Sequence, residues 1–334
     1  MRKIIHQFTI LLGLFFIVLS VQAQAPENFS KAKEIAKKEI YHDRNQQKEG
    51  TIYCGCDWEW TGKSGGQVNL ASCGYKVRTQ QTRAMRIEWE HIVPAWVFGH
   101  QRQCWQNGGR TNCVKTDPVF RVIEANLHNL APSIGEVNGD RSNFSFGQLS
   151  GQAPYQYGQC RSRVDFASRT FEPRNEVKGQ VARVYFYLHD RYNLSMSRQQ
   201  QQLFMAWDRS YPPLAWEIER DNRIARIMGH HNPFVTGQVK WQLGHKNSGA
   251  GLTANSSAST NRAATNTSQP VSSSTANKGQ AQNGEIKGNI NSKIYHFSHC
   301  SGYKNMSDKN AVYFATESEA TKAGYRLANN CKQP

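Results

Sequence analysis

Acidic residues are scarce in this chain: 25 Asp and Glu stand against 41 Lys and Arg, for a formal net charge of +16. A surplus of that size implies a polyanionic partner, namely nucleic acid, anionic lipid or acidic glycan. Long apolar runs are missing after the first 23 residues, which excludes a membrane-spanning segment there. Paired C-x₂-C knuckles are also lacking, which argues against a structural zinc site among the core cysteines. No internal repeat is visible. Residues 246–288 hold few apolar side chains, being almost entirely Ser, Thr, Asn, Ala, Gln and Gly, so they have little to bury and read as a flexible linker.

The start of the chain is different in kind. Arg2 and Lys3 precede an apolar run from Phe8 to Leu19, followed by Val21-Gln22-Ala23. A charged start, an apolar centre too short to span a bilayer and small residues before the cut make residues 1–23 a secretory signal peptide. Export to the periplasm or the medium suits the even number of cysteines, which points to disulfides. Cys54, Cys56, Cys73, Cys104, Cys113 and Cys160 lie in the core, and Cys300 and Cys331 in the tail, so bridges confined within each part are expected. Cys54 and Cys56 are too close to pair with each other, and each should reach a distant partner. The connectivity among the six stays open.

The expected organisation is a domain over 24–244, a linker over 245–288 and a small module over 289–334. Ser30 followed by KAKEIAKKEIYHD predicts a capped helix with Ile35, Ala36 and Ile40 on one face. Glycines, three cysteines and short β-prone runs over 50–80 predict disulfide-tied loops or hairpins. Trp58 and Trp60 there are read as packing residues rather than as platforms for bases. From about 174 helical spacing takes over, with stripes at Val181, Val184, Tyr185 and Leu188, at Leu203, Phe204 and Trp207, and at Trp216, Ile218, Ile224 and Ile227, all expected to be core.

The chemistry is expected in Arg86-Ile87-Glu88-Trp89-Glu90-His91-Ile92-Val93-Pro94-Ala95. Alternating charged and apolar residues that run into a proline predict a strand ending near Pro94. A hard oxygen ligand beside a neutral imidazole is what a metal-assisted hydrolase needs, one holding the ion and the other taking a proton from water. Adjacent residues on a regular strand face opposite ways, so Glu90 and His91 share a site only if the chain bends between them. Arg78, Arg83, Arg86, Arg102 and Arg110 lie near this stretch, and scattered positive charge of this kind favours phosphate contacts without sequence preference.

The blocks RIEWEHIVPAWVFGHQRQCW, GGRTNC, LHNLAPSIGEVNGDRSNF, QQQQLFMAWDRSYP and GHHNPF cover most of residues 29–236. In order and spacing this region resembles the bacterial endonuclease I family, periplasmic and secreted non-specific nucleases with a ββα-metal active site. The resemblance implies an α+β fold: a mixed, helix-rich, disulfide-tied domain around that motif, with a small α+β C-terminal module. It implies a monomeric endonuclease that hydrolyses DNA, and RNA as well, through sequence-independent phosphate contacts and leaves 5′-phosphate products. His91 is then the general base, Glu90 and Asn138 hold one Mg²⁺ (with Mn²⁺ or Ca²⁺ as substitutes), Arg110 grips the cleaved phosphate, and Asn129 ties two strands together. Glu124, Glu136 and Arg141 are given no chemistry, and His128, His230 and His231 are read as packing or capping residues. One departure is that family members usually carry a further cysteine pair near 218 and 240, where this chain has Trp216-Glu217-Ile218 and Trp241-Gln242. The rival readings are a non-catalytic nucleic-acid-binding protein and a metal-dependent phosphatase or lipase.

The tail regains aromatics and resembles the small module found on some secreted nucleases, and more distantly the metal-binding domain of the Ada repair protein. Against that domain's four cysteine ligands it offers His296, Cys300, Cys331 and Ala328, with His299 nearby. A missing ligand in an oxidising compartment favours a plain Cys300–Cys331 bridge.

Overall fold

The structure, a computed structural model, describes residues 25–252, 286–297, 299–307, 310–314, 317–329 and 331. The expected signal peptide and most of the expected linker lie outside the described residues. The chain forms two compact units, one within residues 1–264 and one within 265–334.

Helix α1 (Phe29–Ile35) opens the first unit. Its cap is Asn28, whose side chain accepts from the Lys31 amide, and not Ser30, which lies inside the first turn. The chain continues as a wider π turn over Ala36–Ile40, and Ala32, Ala36 and Ile40 are completely buried. Their four-residue spacing sets them in one line against Tyr41, Trp89, Leu127 and Leu130. Strands β1 (Trp58–Thr61) and β2 (Gly65–Val68) make the expected hairpin. Trp58 is buried there, and Trp60 stacks on Trp89 beneath the Lys37 ammonium.

Strand β3 (Ile87–His91) pairs antiparallel with β4 (Leu130–Ile134), Glu90 opposite Ala131 and His91 opposite Leu130. Short helix α2 (Gln81–Ala84) comes just before β3, and α3 (Ala95–Gly99), α4 (Gln103–Gln106), α5 (Gly109–Thr116) and α6 (Pro118–Glu124) lie between the two strands in the chain. Helix α7 (Gly135–Arg141) follows β4 without a break, completing a strand–strand–helix unit. Strands β5 (Ser145–Phe146), β6 (Arg163–Asp165) and β7 (Thr170–Glu172) form a separate small sheet.

Three longer helices complete the unit: α8 (Asn175–Arg191), α9 (Arg198–Ser210) and α10 (Ala215–Met228). The stripe of α8 is buried as its spacing predicts, and Phe204 and Trp207 of α9 pack against it. In α10 the apolar reading fails at Ile218, which is 48% exposed. The buried face of that helix is polar instead, made of Glu217, Arg220 and Asp221 with Ile224. Burial is tolerated because each charge has partners: Glu217 grips Arg183, Arg220 donates to the Tyr41 hydroxyl and to the carbonyls of Leu127, His128 and Leu130, and Asp221 accepts from the Asn232 amide. His231 contacts Asp221, and His128 and His230 join a ring cluster with Tyr187.

The core cysteines pair as Cys54–Cys160, Cys56–Cys73 and Cys104–Cys113. Trp241 stacks on Phe186 with ring centroids 4.9 Å apart. Ordered contacts run past residue 244: His245 and Ser248 both bond to the Asp190 carboxylate, so this start of the expected linker packs on α8.

The second unit is a four-stranded sheet in the order β10-β8-β9-β11, from β8 (Ile286–Asn289), β9 (Ile294–Phe297), β10 (Ala311–Phe314) and β11 (Arg326–Leu327). Helices α11 (Ser301–Asn305) and α12 (Glu317–Lys322) join it. Its own core gathers Ile286, Tyr295, Phe297, Tyr325 and Ala328 around a Cys300–Cys331 disulfide. His299 lies beside that bridge, but sulfurs already bonded to each other supply no thiolate for a metal. Among the described residues no helix is long and apolar enough to cross a membrane.

Candidate active site

The pleat of β3 sends alternate side chains to opposite faces, and α7 lies across one of them. Asn138 meets Glu88, its Nδ2 donating to Glu88 Oε2 at 2.9 Å. One turn later Arg141 meets Glu90, with Nη1 3.2 Å from Oε1. Two glycines of α7 allow this close approach. A Cβ at Gly135 would come within 2.9 Å of Glu88 Oε1, and one at Gly139 within 1.9 Å of Arg83 Nη1. The helix is fixed from its far side. Glu136 accepts from the Tyr75 hydroxyl and from the amides of Arg78, Thr79 and Gln80, and Asp140 accepts two bonds from Arg78.

Glu88 is a saturated acceptor. Oε1 takes bonds from Arg83 Nε and from Arg86 Nε and Nη2, and Oε2 takes Arg83 Nη2 besides Asn138. Burial works to raise its carboxyl, but these bonds outweigh it and hold the group below the usual range, as a carboxylate.

Glu90 is 2% exposed. Burial raises its carboxyl, against the pull of Arg141 and of the Tyr53 hydroxyl, which donates at 2.6 Å. Both partners sit on Oε1, which leaves Oε2 as the second oxygen of this group. A nearby cation would favour its ionised form.

His91 points to the other side of β3. Its ring packs 4.6 Å from Phe29, and Nε2 lies 2.8 Å from the Glu124 carbonyl. A carbonyl only accepts, so that nitrogen carries the proton and Nδ1 keeps the lone pair. Burial pushes the imidazole down to about 3, helped by the positive charges of Arg110, Arg141 and Lys33 and opposed by the Glu124 carbonyl. The ring is therefore neutral at any ordinary pH. The carboxylate of Glu124, buried itself, accepts from Arg110 Nε at 2.7 Å. Arg110 is 44% exposed along its side chain, and α5, which carries it, is tied to α4 by Cys104–Cys113. Asn129 exchanges two bonds with the Val93 backbone, Oδ1 accepting at 2.7 Å and Nδ2 donating at 2.9 Å, which joins the ends of β3 and β4.

Phe29, Lys33, Glu88, His91, Arg110 and Asn138 line one open cleft. The structure thus brings His91, Arg110 and Asn138 to one cleft, with Asn129 supporting it from the strand ends, while Glu90 is not among the lining side chains. Sequence reasoning passed over Glu88, Glu124, Lys33 and Tyr53. Parity along β3 makes Glu88 and Glu90 alike, and only the position of α7 separates them. Among the described residues no hydrogen bond engages Oε2 of Glu90 or Oδ1 of Asn138, and both are hard donors of the kind that suits Mg²⁺, Mn²⁺ or Ca²⁺. An uncharged imidazole beside two cationic side chains is suited to taking a proton from water next to a phosphate.

Residues 28–238 match the family model for Endonuclease I, and residues 266–327 match one described as ArfC. An extracellular deoxyribonuclease of Aeromonas hydrophila is 50% identical over 206 residues, 61% of this chain and 89% of that protein. A periplasmic deoxyribonuclease of the same organism is 47% identical over 231 residues, 69% of this chain and 94% of that one. An endonuclease-1 of Buchnera aphidicola is 46% identical over 209 residues, 63% and 80%. A match across most of the chain, on the residues that build this cleft, makes the protein a member of the endonuclease I family.

Proposed function

We propose that the chain is an exported, monomeric endonuclease that hydrolyses phosphodiester bonds in DNA, and in RNA as well, without sequence preference. The observation that carries this reading is the double use of Glu124, whose carbonyl holds His91 and whose carboxylate holds Arg110. A proton acceptor and a phosphate-binding cation are thereby kept in one cleft by one residue. The names of the relatives, extracellular and periplasmic deoxyribonucleases, support both the substrate and the export.

In this mechanism Nδ1 of His91 takes a proton from the attacking water, and Arg110 grips two oxygens of the phosphate as negative charge builds on them. Glu90 through Oε2 and Asn138 through Oδ1 would hold one Mg²⁺, which supplies charge neutralisation at the phosphate. As the new P–O bond forms the P–O3′ bond breaks, the departing 3′ oxygen takes a proton from solvent water, and the phosphate stays on the 5′ side. Lys33 at the cleft and the basic surface add affinity that salt screens. Incubating the protein with supercoiled plasmid, in Mg²⁺ and in excess EDTA, tests the reading. Nicking only with Mg²⁺ and 5′-phosphorylated ends are expected; binding without cutting in either condition would overturn it.

A further inference from the structure

The amide of Asn138 is symmetric in shape, and rotation by half a turn exchanges its oxygen and its nitrogen. Nothing in the side chain itself decides which one faces a cation. The partner decides. Glu88 is an acceptor-only carboxylate, so the Asn138 atom 2.9 Å from its Oε2 must be the NH₂ group. With Nδ2 held there, Oδ1 occupies the other branch of the amide. Arg83 and Arg86 saturate the rest of Glu88, which prevents its carboxylate from turning away or serving as a ligand itself. Gly135 and Gly139 flank the contact, and added methyl groups there would meet Glu88 and Arg83. The contact is thus built from both sides.

We infer that Glu88 is a positioning residue that fixes the Asn138 amide with its oxygen turned toward the divalent cation, while Arg83 and Arg86 fix Glu88. This rests on the metal site proposed above. Hydrogen bonds from outside a ligand shell orient ligands and strengthen binding about ten- to hundredfold.

The test is Mn²⁺ titration of the full chain by calorimetry, for wild type, Glu88→Ala, Glu88→Gln, Asn138→Ala and the double variant Glu88→Ala/Asn138→Ala, each checked for an unchanged circular dichroism spectrum. Glu88→Ala is expected to weaken Mn²⁺ binding about tenfold or more. Glu88→Gln, whose amide oxygen still accepts from Asn138, should recover most of that loss although the negative charge is gone. In the double variant the Glu88 change should add nothing to the Asn138 change. Equal weakening by Glu88→Ala with and without Asn138 would overturn the inference, as would a Gln variant no better than Ala. So would wild-type affinity in a folded Glu88→Ala protein. If Asn138→Ala itself leaves Mn²⁺ binding intact, or wild type binds none, the metal site is refuted and the inference with it.

Discussion

The main-chain carbonyl of Glu124 lies 2.8 Å from Nε2 of His91, and this contact decides which ring nitrogen is a base. The same residue's carboxylate holds Arg110. The two arms can be separated by mutation, because only the second depends on the Glu124 side chain. Arg110→Ala should lower cleavage by about 10²–10³. Glu124→Gln should give a smaller loss in the same direction, and Glu124→Gln added to Arg110→Ala should have little further effect. Initial nicking rates of the three proteins check this; a double variant whose loss is the product of the singles would contradict it.

The neutral state of His91 has a kinetic consequence. A general base is active above its pKa, and burial with neighbouring positive charge pushes His91, the proposed base, down to about 3. The acid limb of kcat/KM should therefore fall well below 6.5, the ordinary value of an imidazole. Rates measured where the fold is intact, with half-loss below about pH 5, are expected. Half-loss close to 6.5 would show that the base is an ordinary exposed histidine.

Stability should depend on pH through the same chemistry. His91 and His189 are pushed down, to about 3 and about 4, and His128 in the same direction, in each case first by burial. The unfolded chain takes up these protons near 6.5 and the folded chain does not. Stability is therefore complete above about 6.5 and falls as pH drops from there toward 4, by about 1.4 kcal/mol per pH unit for each histidine at the steepest. Thermal unfolding followed by circular dichroism should show Tm lower by roughly 10 °C or more at pH 5 than at pH 7. A flat Tm over that interval would contradict the burial assigned to these rings.

How far the sequence leads depends on what each element buries. Helix α8 was legible because its buried side chains are mostly apolar and recur at helical spacing. Helix α10 was not, because Glu217, Arg220 and Asp221 occupy its inner face and are stabilised by partners distant in the chain, such as Arg183 and Tyr41. His91, Arg110 and Asn138 were reached by resemblance, and the fold brings them to one cleft. The division of labour between Glu88 and Glu90 was out of reach, since it depends on which turn of α7 lies over which residue of β3. The tail bridge followed from two isolated cysteines, whereas pairing among the other six depended on the fold.

Disulfides also bear on the cleft. Cys104–Cys113 closes a short loop around the start of α5, and Arg110 lies inside it. Replacing both cysteines with Ala should cost about 2–4 kcal/mol and lower cleavage, because α5 loses its tether. Cys300→Ala/Cys331→Ala, confined to the second unit's own core, should leave the Tm of the first unit unchanged. Calorimetric unfolding paired with nicking assays distinguishes the two; equal effects from both pairs would argue against independent cores.

The most direct measurement is single-turnover nicking of supercoiled plasmid by His91→Ala in saturating Mg²⁺, alongside its DNA affinity. Cleavage reduced by about 10²–10⁴ with affinity and circular dichroism unchanged is the predicted result. Cutting at a rate close to wild type would show that the proton leaves the attacking water by another route.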